Sequence, residues 1–75
     1  MKDEIYKTCL RDLIPLIAED ALEAKEDSRK YPTDFNKGRM MGYFEVLSTV
    51  KNQINPFNIG EKDIGLDKIN IDEYL

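Results

Sequence analysis

Residues 31–34 read Tyr-Pro-Thr-Asp, and this short stretch decides the fold because it separates two long helical patterns. Proline disfavours the α region for the residue before it, so a helix arriving from the N-terminal side is expected to end near Tyr31. Thr33 or Asp34 can then accept a backbone N–H bond and cap the helix that follows. Because the connection is short, the two helices are expected to pack as an antiparallel hairpin.

The segment before the turn, from about Asp3 to Lys30, has the periodicity of an amphipathic helix. Its apolar stripe consists of Tyr6, Leu10, Leu13, Ile14, Ile17, Ala21 and Ala24. Pro15 interrupts this pattern, because its ring removes one backbone hydrogen bond and crowds the preceding turn. The stripe keeps its phase across Pro15, which predicts one kinked helix rather than two short ones.

The segment after the turn, from about residue 35 to 54, predicts a second helix that Asn55-Pro56 stops. Its apolar residues cover about 160° of the helical circumference, more than the ~100° stripe of a typical surface helix. This arc is formed by Met40, Tyr43, Phe44, Val46, Leu47, Val50 and Ile54. The other side carries Gly38, Gly42, Ser48 and Thr49 together with Met41.

The two glycines within this helix need a physical reason, because each costs up to about 1 kcal/mol relative to alanine. Close contact with another helix would offset that cost, and the alternative is that both lie at a solvent-facing edge. The candidate interface residues are therefore Gly38, Arg39, Met41, Gly42, Glu45 and Thr49. If this side is buried in a dimer, Glu45 needs a partner such as Arg39 of a second copy or a lysine of the first helix. Otherwise both are solvated charges. Arg39 also shares a face with Tyr43, four residues later.

The C-terminal tail, residues 55–75, mixes apolar residues with Asn, Asp, Gly and Lys and has no long helical period. It predicts an irregular segment with one or two short helical turns, such as one over residues 60–64. We expect the tail to cover the open end of the hairpin, where Ile5, Cys9 and Leu16 widen the apolar arc of the first helix. The alternative is that a partner chain covers this flank.

The expected architecture is therefore all-α, in a single small domain over residues 1–75. It is an antiparallel two-helix hairpin with an irregular C-terminal tail packed on it, completed as a helical bundle by dimerisation. A chain of 75 residues buries only about 60% of its unfolded surface and often needs a stabilising device. Cys9 is its only cysteine, so no disulfide can form within the chain. Association into a homodimer, or with another protein, is the device that remains.

Composition argues against most ligand-binding and catalytic chemistry. The chain has no histidine and one thiol, so we expect no metal and no cofactor. The acidic cluster on the first helix is expected to be a solvated face, because carboxylate-bridged metal sites in bundles also use histidine; it comprises Glu19, Asp20, Glu23, Glu26 and Asp27. Cys9 is expected to be a small buried residue, since no histidine is available to activate its thiol. We therefore expect no catalytic residue and no enzymatic activity.

Charge and hydropathy bear on partners and location. The net charge is −4, and the basic residues are scattered instead of forming the cluster that phosphate binding requires. We therefore do not expect nucleic acid as a partner. No apolar run approaches the roughly 20 residues of a membrane span. The start, Met-Lys-Asp-Glu, lacks the apolar stretch of a signal peptide. These observations predict a cytoplasmic protein without membrane contact.

Three short motifs carry a resemblance. They are Ala-Leu-Glu-Ala-Lys over residues 21–25, Phe-x-x-Gly-Arg over 35–39 and Tyr-x-Glu-Val-Leu-Ser over 43–48. Together they resemble a family of short uncharacterised helical-hairpin proteins of bacterial and phage type, although Pro15 has no counterpart there. The resemblance implies a bacterial protein with a helical hairpin and no known activity.

Two functional hypotheses follow. The first is a small protein-interaction or self-associating helical module. The second is a small regulator that acts on nucleic acid, either through a protein partner or through a weak basic patch formed by Lys30, Lys37 and Arg39.

Overall fold

A computed structural model of the chain describes residues 2–67, 69 and 70. Helix α1 spans Lys2–Lys30 and helix α2 spans Asp34–Ile54; two short 3-10 turns follow at Asn55–Phe57 and Glu61–Ile64. The two helices pack against each other, and no strand occurs in these described ranges. The predicted all-α hairpin is confirmed, with helix bounds that agree with the sequence pattern to within one residue.

The turn between the helices is fixed by its own polar groups. Thr33 has an extended backbone, and its hydroxyl oxygen accepts a hydrogen bond from the Asn36 backbone N–H at 3.2 Å. The Asn36 side-chain amide in turn donates to the Tyr31 carbonyl at 2.9 Å. Thr33 is therefore the N-cap of α2, as one of the two predicted alternatives.

Helix α1 runs through Pro15 without a break, as predicted; a kink at that position stays a prediction. The tail passes over the proline ring at Gly65, whose φ of +78° lies in the left-handed region. A Cβ atom on Gly65 would lie 2.6 Å from the Pro15 Cγ atom. The missing side chain is what lets the tail approach α1 here.

The core lies where α1, α2 and the tail meet. Its buried residues are Ile14, Ala21, Phe44, Leu47, Ile54, Ile64 and Leu66. The small side chains of Ala21 and Ala24 are fully buried in α1. Alanine at these positions leaves room for the large side chains of Phe44 and Leu47, which are fully buried too.

The N-terminal part of the predicted α1 stripe is not buried. Every residue from 2 to 13 is exposed, including Tyr6, Leu10 and Leu13. For residues 2–9 the physical reason is length, because α1 has 29 residues and α2 has 21, a difference of about 12 Å at 1.5 Å per residue. The first turns of α1 therefore project beyond the end of α2. We call this projecting part, residues 2–9, the overhang. The prediction that Cys9 is buried was wrong for the same reason.

The tail contacts only part of the surface expected for it. Its second 3-10 turn, Glu61–Ile64, confirms the short helical turn predicted over 60–64. Ile64 and Leu66 are buried, whereas Phe57 and Ile59 are exposed. The expected cover over Ile5, Cys9 and Leu16 was wrong, because all three are exposed and the tail meets α1 at Pro15 instead. The apolar tail residues Ile71 and Leu75 lie outside the described residues.

Candidate interaction surface

The tail divides the hairpin into two faces. On one side of α1, Pro15, Ala18 and Leu22 surround a shallow cavity of about 190 Å³ together with Gly65 and Ile69 of the tail. We call this side the tail face. The Lys51 ammonium of α2 also lies on this side, 3.9 Å from the Glu61 carboxylate of the tail.

The opposite side of the hairpin, the open face, meets none of the described tail residues beyond the terminal groove. Helical geometry places Leu13 on the open face, because Leu13 stands nine residues before Leu22 and therefore points about 180° away from it. On α2, Val46 and Gln53 point about 140–160° away from Lys51 by the same reasoning. The open face is formed by Tyr6, Leu10 and Leu13 of α1 and by Val46, Val50 and Gln53 of α2.

Apolar side chains on this face are left exposed by the described part of the chain. Tyr6 is 64% exposed, Val46 is 50% exposed and Leu13 is 44% exposed. They lie on both helices and belong to successive helical turns, so they form a continuous strip rather than scattered single residues. Val46 belongs to the wide apolar arc of α2 and is exposed at the edge of that arc.

At the terminal end of the open face the strip leads into a groove of about 450 Å³. Leu10 and Ile14 form its α1 wall, and Thr49, Val50, Gln53 and Ile54 form its α2 wall. Phe57, Ile59 and Ile64 close the end of the groove. Phe57 is 65% exposed there, so the groove presents an aromatic ring with an uncovered surface.

Near the turn the open face becomes polar. The Arg39 guanidinium donates to the Asp27 carboxylate at 2.9 Å and lies 5.7 Å from the centroid of the Tyr43 ring. Arg39 and Tyr43 share a face of α2, as their spacing predicts. The hydrogen bond to Asp27 raises the pKa of Arg39 above its ordinary value. Sequence reasoning missed Asp27 as the partner, although the signal was present: Asp27 and Arg39 stand at similar distances before and after a short turn.

The predicted interface residues occupy two neighbouring positions around α2. Gly42 and Thr49 adjoin the open face beside Val46, and Gly38 continues their row toward the turn. Met41 and Glu45 lie farther from α1 and are exposed. Apart from the adjoining backbone of α2, none of the described residues would lie within 4 Å of a Cβ at Gly38 or Gly42. The glycines therefore make no close contact with α1. The Thr49 hydroxyl donates to the Glu45 carbonyl at 3.1 Å, a bond within the helix.

The proposed basic patch is partly neutralised by acids of α1. The Lys30 ammonium lies 3.9 Å from the Glu26 carboxylate, and Arg39 is held by Asp27. Glu26 also accepts a hydrogen bond from the Arg29 Nε at 3.1 Å, which lowers the pKa of Glu26 and raises that of Arg29. These ion pairs neutralise the positive charges of Lys30 and Arg39 within the chain, so they do not favour the nucleic-acid hypothesis.

The described residues contain no group of three or more histidine, cysteine, aspartate or glutamate residues arranged to hold a metal ion. Within the same residues, neither helix combines the length and the apolar character needed to cross a membrane.

Comparisons of the chain with protein families, with curated proteins and with solved structures found no match. The family resemblance of the three short motifs therefore stays a prediction.

Proposed function

We propose that the protein is a self-associating helical module in which two copies pack through their open faces into a helical bundle. The observation that carries this proposal is the continuous strip of exposed apolar side chains at Tyr6, Leu10, Leu13 and Val46. Monomeric proteins rarely leave such strips uncovered, and they mark interaction sites. In this proposal the tail is the permanent cover of one face and the second copy is the cover of the other.

The exposed area supports the same proposal. A compact monomer of 8.7 kDa is expected to expose about 4,700 Å², whereas this elongated chain exposes 5602 Å². The excess of about 900 Å² over that scaling is close to the roughly 800 Å² that each partner contributes to a standard interface. The chain as a whole therefore exposes an excess of surface that matches what one partner of a stable dimer buries.

The small residues beside Val46 support a helix as the partner. None of the described residues occupies the space in front of Gly38 and Gly42, so a second helix can approach the α2 backbone there. A bulky side chain would prevent this approach. We therefore expect Gly42→Leu to weaken self-association, and normal association of that variant would contradict close contact at this position.

The proposal includes a setting and a mode of action. We infer a bacterial, cytoplasmic protein that acts by binding a copy of itself or another protein, without a cofactor and without catalysis. The lack of histidine and the single thiol of Cys9 support the part of this inference that concerns cofactors and catalysis.

A matched pair of leucines tests the open face. Leu13 and Leu22 both lie in α1, are both 44% exposed and point in opposite directions. We expect Leu13→Glu to weaken dimerisation at least tenfold, because it places a charge in the interface, and Leu22→Glu to leave it unchanged. Sedimentation equilibrium from low micromolar to millimolar concentration measures the dissociation constants.

Two results would contradict the proposed function. One is a wild-type protein that stays monomeric at high micromolar concentration. The other is equal behaviour of the two variants, which would mean that association does not depend on the open face. Circular dichroism of both variants at low concentration checks that the helices persist.

A further inference from the structure

The open face is divided along its length into an apolar half and a polar half. Near the termini it carries Tyr6, Leu10 and Leu13 of α1 opposite Val50 of α2. Near the turn, the α1 side carries Asp20 and Asp27, and the α2 side carries Gly38, Arg39 and Gly42. This lengthwise division restricts how two identical faces can meet.

A two-fold symmetric dimer brings the same patch of both copies together. If the two hairpins overlapped fully with their turns at opposite ends, the apolar half of each copy would cover Asp20 and the Asp27–Arg39 ion pair of the other. Burying a carboxylate such as that of Asp20 against apolar side chains without a partner is costly. If the turns lie at the same end, apolar meets apolar, and α1 of each copy lies over α2 of the other.

We propose that two copies pack with their turns at the same end, so that the overhang of each copy covers Phe57 in the groove of the other. This inference rests on the self-association proposed above and specifies its geometry. In this arrangement Leu13 of one copy lies level with Val50 of the other. Tyr6 then lies beyond the end of the other copy's α2, at the level of its Phe57.

The arrangement accounts for two exposed features with one contact. Lys7 of the overhang lines a cavity together with Asn58 and Ile59 of the tail, but Tyr6 stays exposed, and Phe57 closes a groove that the described residues leave open. Tyr6 and Phe57 are exposed to almost the same extent, 64% and 65%. Near the turn, Asp20 and Asp27 of one copy come opposite Arg39 of the other, where Gly38 and Gly42 leave room for the helix.

An offset dimer with turns at opposite ends is the competing geometry. It would overlap only the N-terminal halves of the two faces and would leave the stretch from Gly38 to Gly42 uncovered. It therefore buries less of the excess surface. It also separates the two turns by more than the length of the hairpin, which makes the two geometries measurable.

The first test measures distances between copies by pulsed electron resonance. In a Cys9→Ser background, one spin label is attached at Tyr31→Cys, whose side chain is exposed at the turn, or at Lys2→Cys in the overhang. With the turns together, both label pairs should lie within roughly 30 Å, because packed helices are about 8–10 Å apart. With the turns apart, the Tyr31 labels should lie 45 Å or more apart, the length of the molecule.

The second test uses a charge pair across the proposed contact. Tyr6→Lys and Phe57→Glu should each weaken homodimerisation at least tenfold. A mixture of the two variants should form a heterodimer at least tenfold more tightly than either homodimer, because one contact becomes Lys against Glu and the other stays Tyr against Phe. Native mass spectrometry separates the three species.

Each outcome decides between the proposals. Long distances at the turn, or a mixture with no heterodimer preference, overturn the same-end geometry and leave self-association standing if wild type is a dimer. A monomeric wild type overturns both. Should a label itself disturb association, the mixture of unlabelled variants still gives the answer.

Discussion

Pro15 is a helix-disrupting residue inside α1, and Gly65 of the tail lies against its ring. Gly65 has a backbone conformation that residues with a Cβ rarely adopt, and the space that its Cβ would occupy is filled by Pro15. The two residues are complementary in shape, because the tail can pass close to α1 only where it has no side chain. The contact fixes the position at which Leu66 enters the core.

We predict that Gly65→Ala destabilises the monomer. The left-handed backbone of a non-glycine residue costs about 1–3 kcal/mol, and the clash with Pro15 adds to this, so the melting temperature should fall by several degrees. Gly38→Ala is the matched control, because nothing lies near its Cβ. It should stabilise α2 by up to about 1 kcal/mol. Thermal unfolding below the association range measures both, and equal shifts would contradict the account.

Single residues were the least predictable level of the structure. The stripe on α1 contained Ile14 and Ala21, which are buried, but also Tyr6, which is exposed. A helical wheel gives the direction of a side chain and not the position at which the neighbouring helix ends. The prediction that Cys9 is buried was wrong for this reason.

At the scale of elements, local chemistry is sufficient to define both helices. Each signal that ends or begins a helix lies within a few residues of that helix end: Pro32, the cap at Thr33 and the Asn55-Pro56 stop. Both helices could therefore be predicted from the sequence. The partner of Arg39 could not be predicted with the same ease, since Asp27 becomes its neighbour only after the hairpin closes.

We predict that the N-cap at Thr33, although exposed, contributes measurably to the free energy of unfolding. Thr33→Ala removes the hydroxyl that accepts the Asn36 N–H bond, which should cost about 1 kcal/mol and lower the melting temperature by about 4–8 °C. Thr49→Ala is the matched control, because its hydroxyl donates to a carbonyl already inside α2. That variant should be neutral in the monomer. A loss of stability in Thr49→Ala equal to that in Thr33→Ala would show that capping is not the cause.

At the scale of the whole molecule, two helices side by side leave two faces to cover. The sequence indicated that extra apolar surface exists near the start of α1 and that the tail is delivered close to it. It did not indicate which face of the hairpin the tail covers, because that depends on the contact of Gly65 with Pro15 and on the buried positions of Ile64 and Leu66. The open face is the consequence of that choice.

We predict that the tail contributes a large share of monomer stability. A chain ending at Asn58 keeps α2 and its C-terminal 3-10 turn but loses Ile64 and Leu66. Burying such side chains is worth about 1.5–3 kcal/mol each, so the loss should be about 3–6 kcal/mol, against total stabilities of about 5–15 kcal/mol. Leu66→Ala in the full chain should cost about 2–5 kcal/mol, whereas Ile59→Ala, at an exposed position, should cost much less. Urea unfolding at low concentration measures all three. If the shortened chain unfolds at the wild-type midpoint, the tail is not part of the core, and the assignment of one face to the tail and the other to a second copy no longer holds.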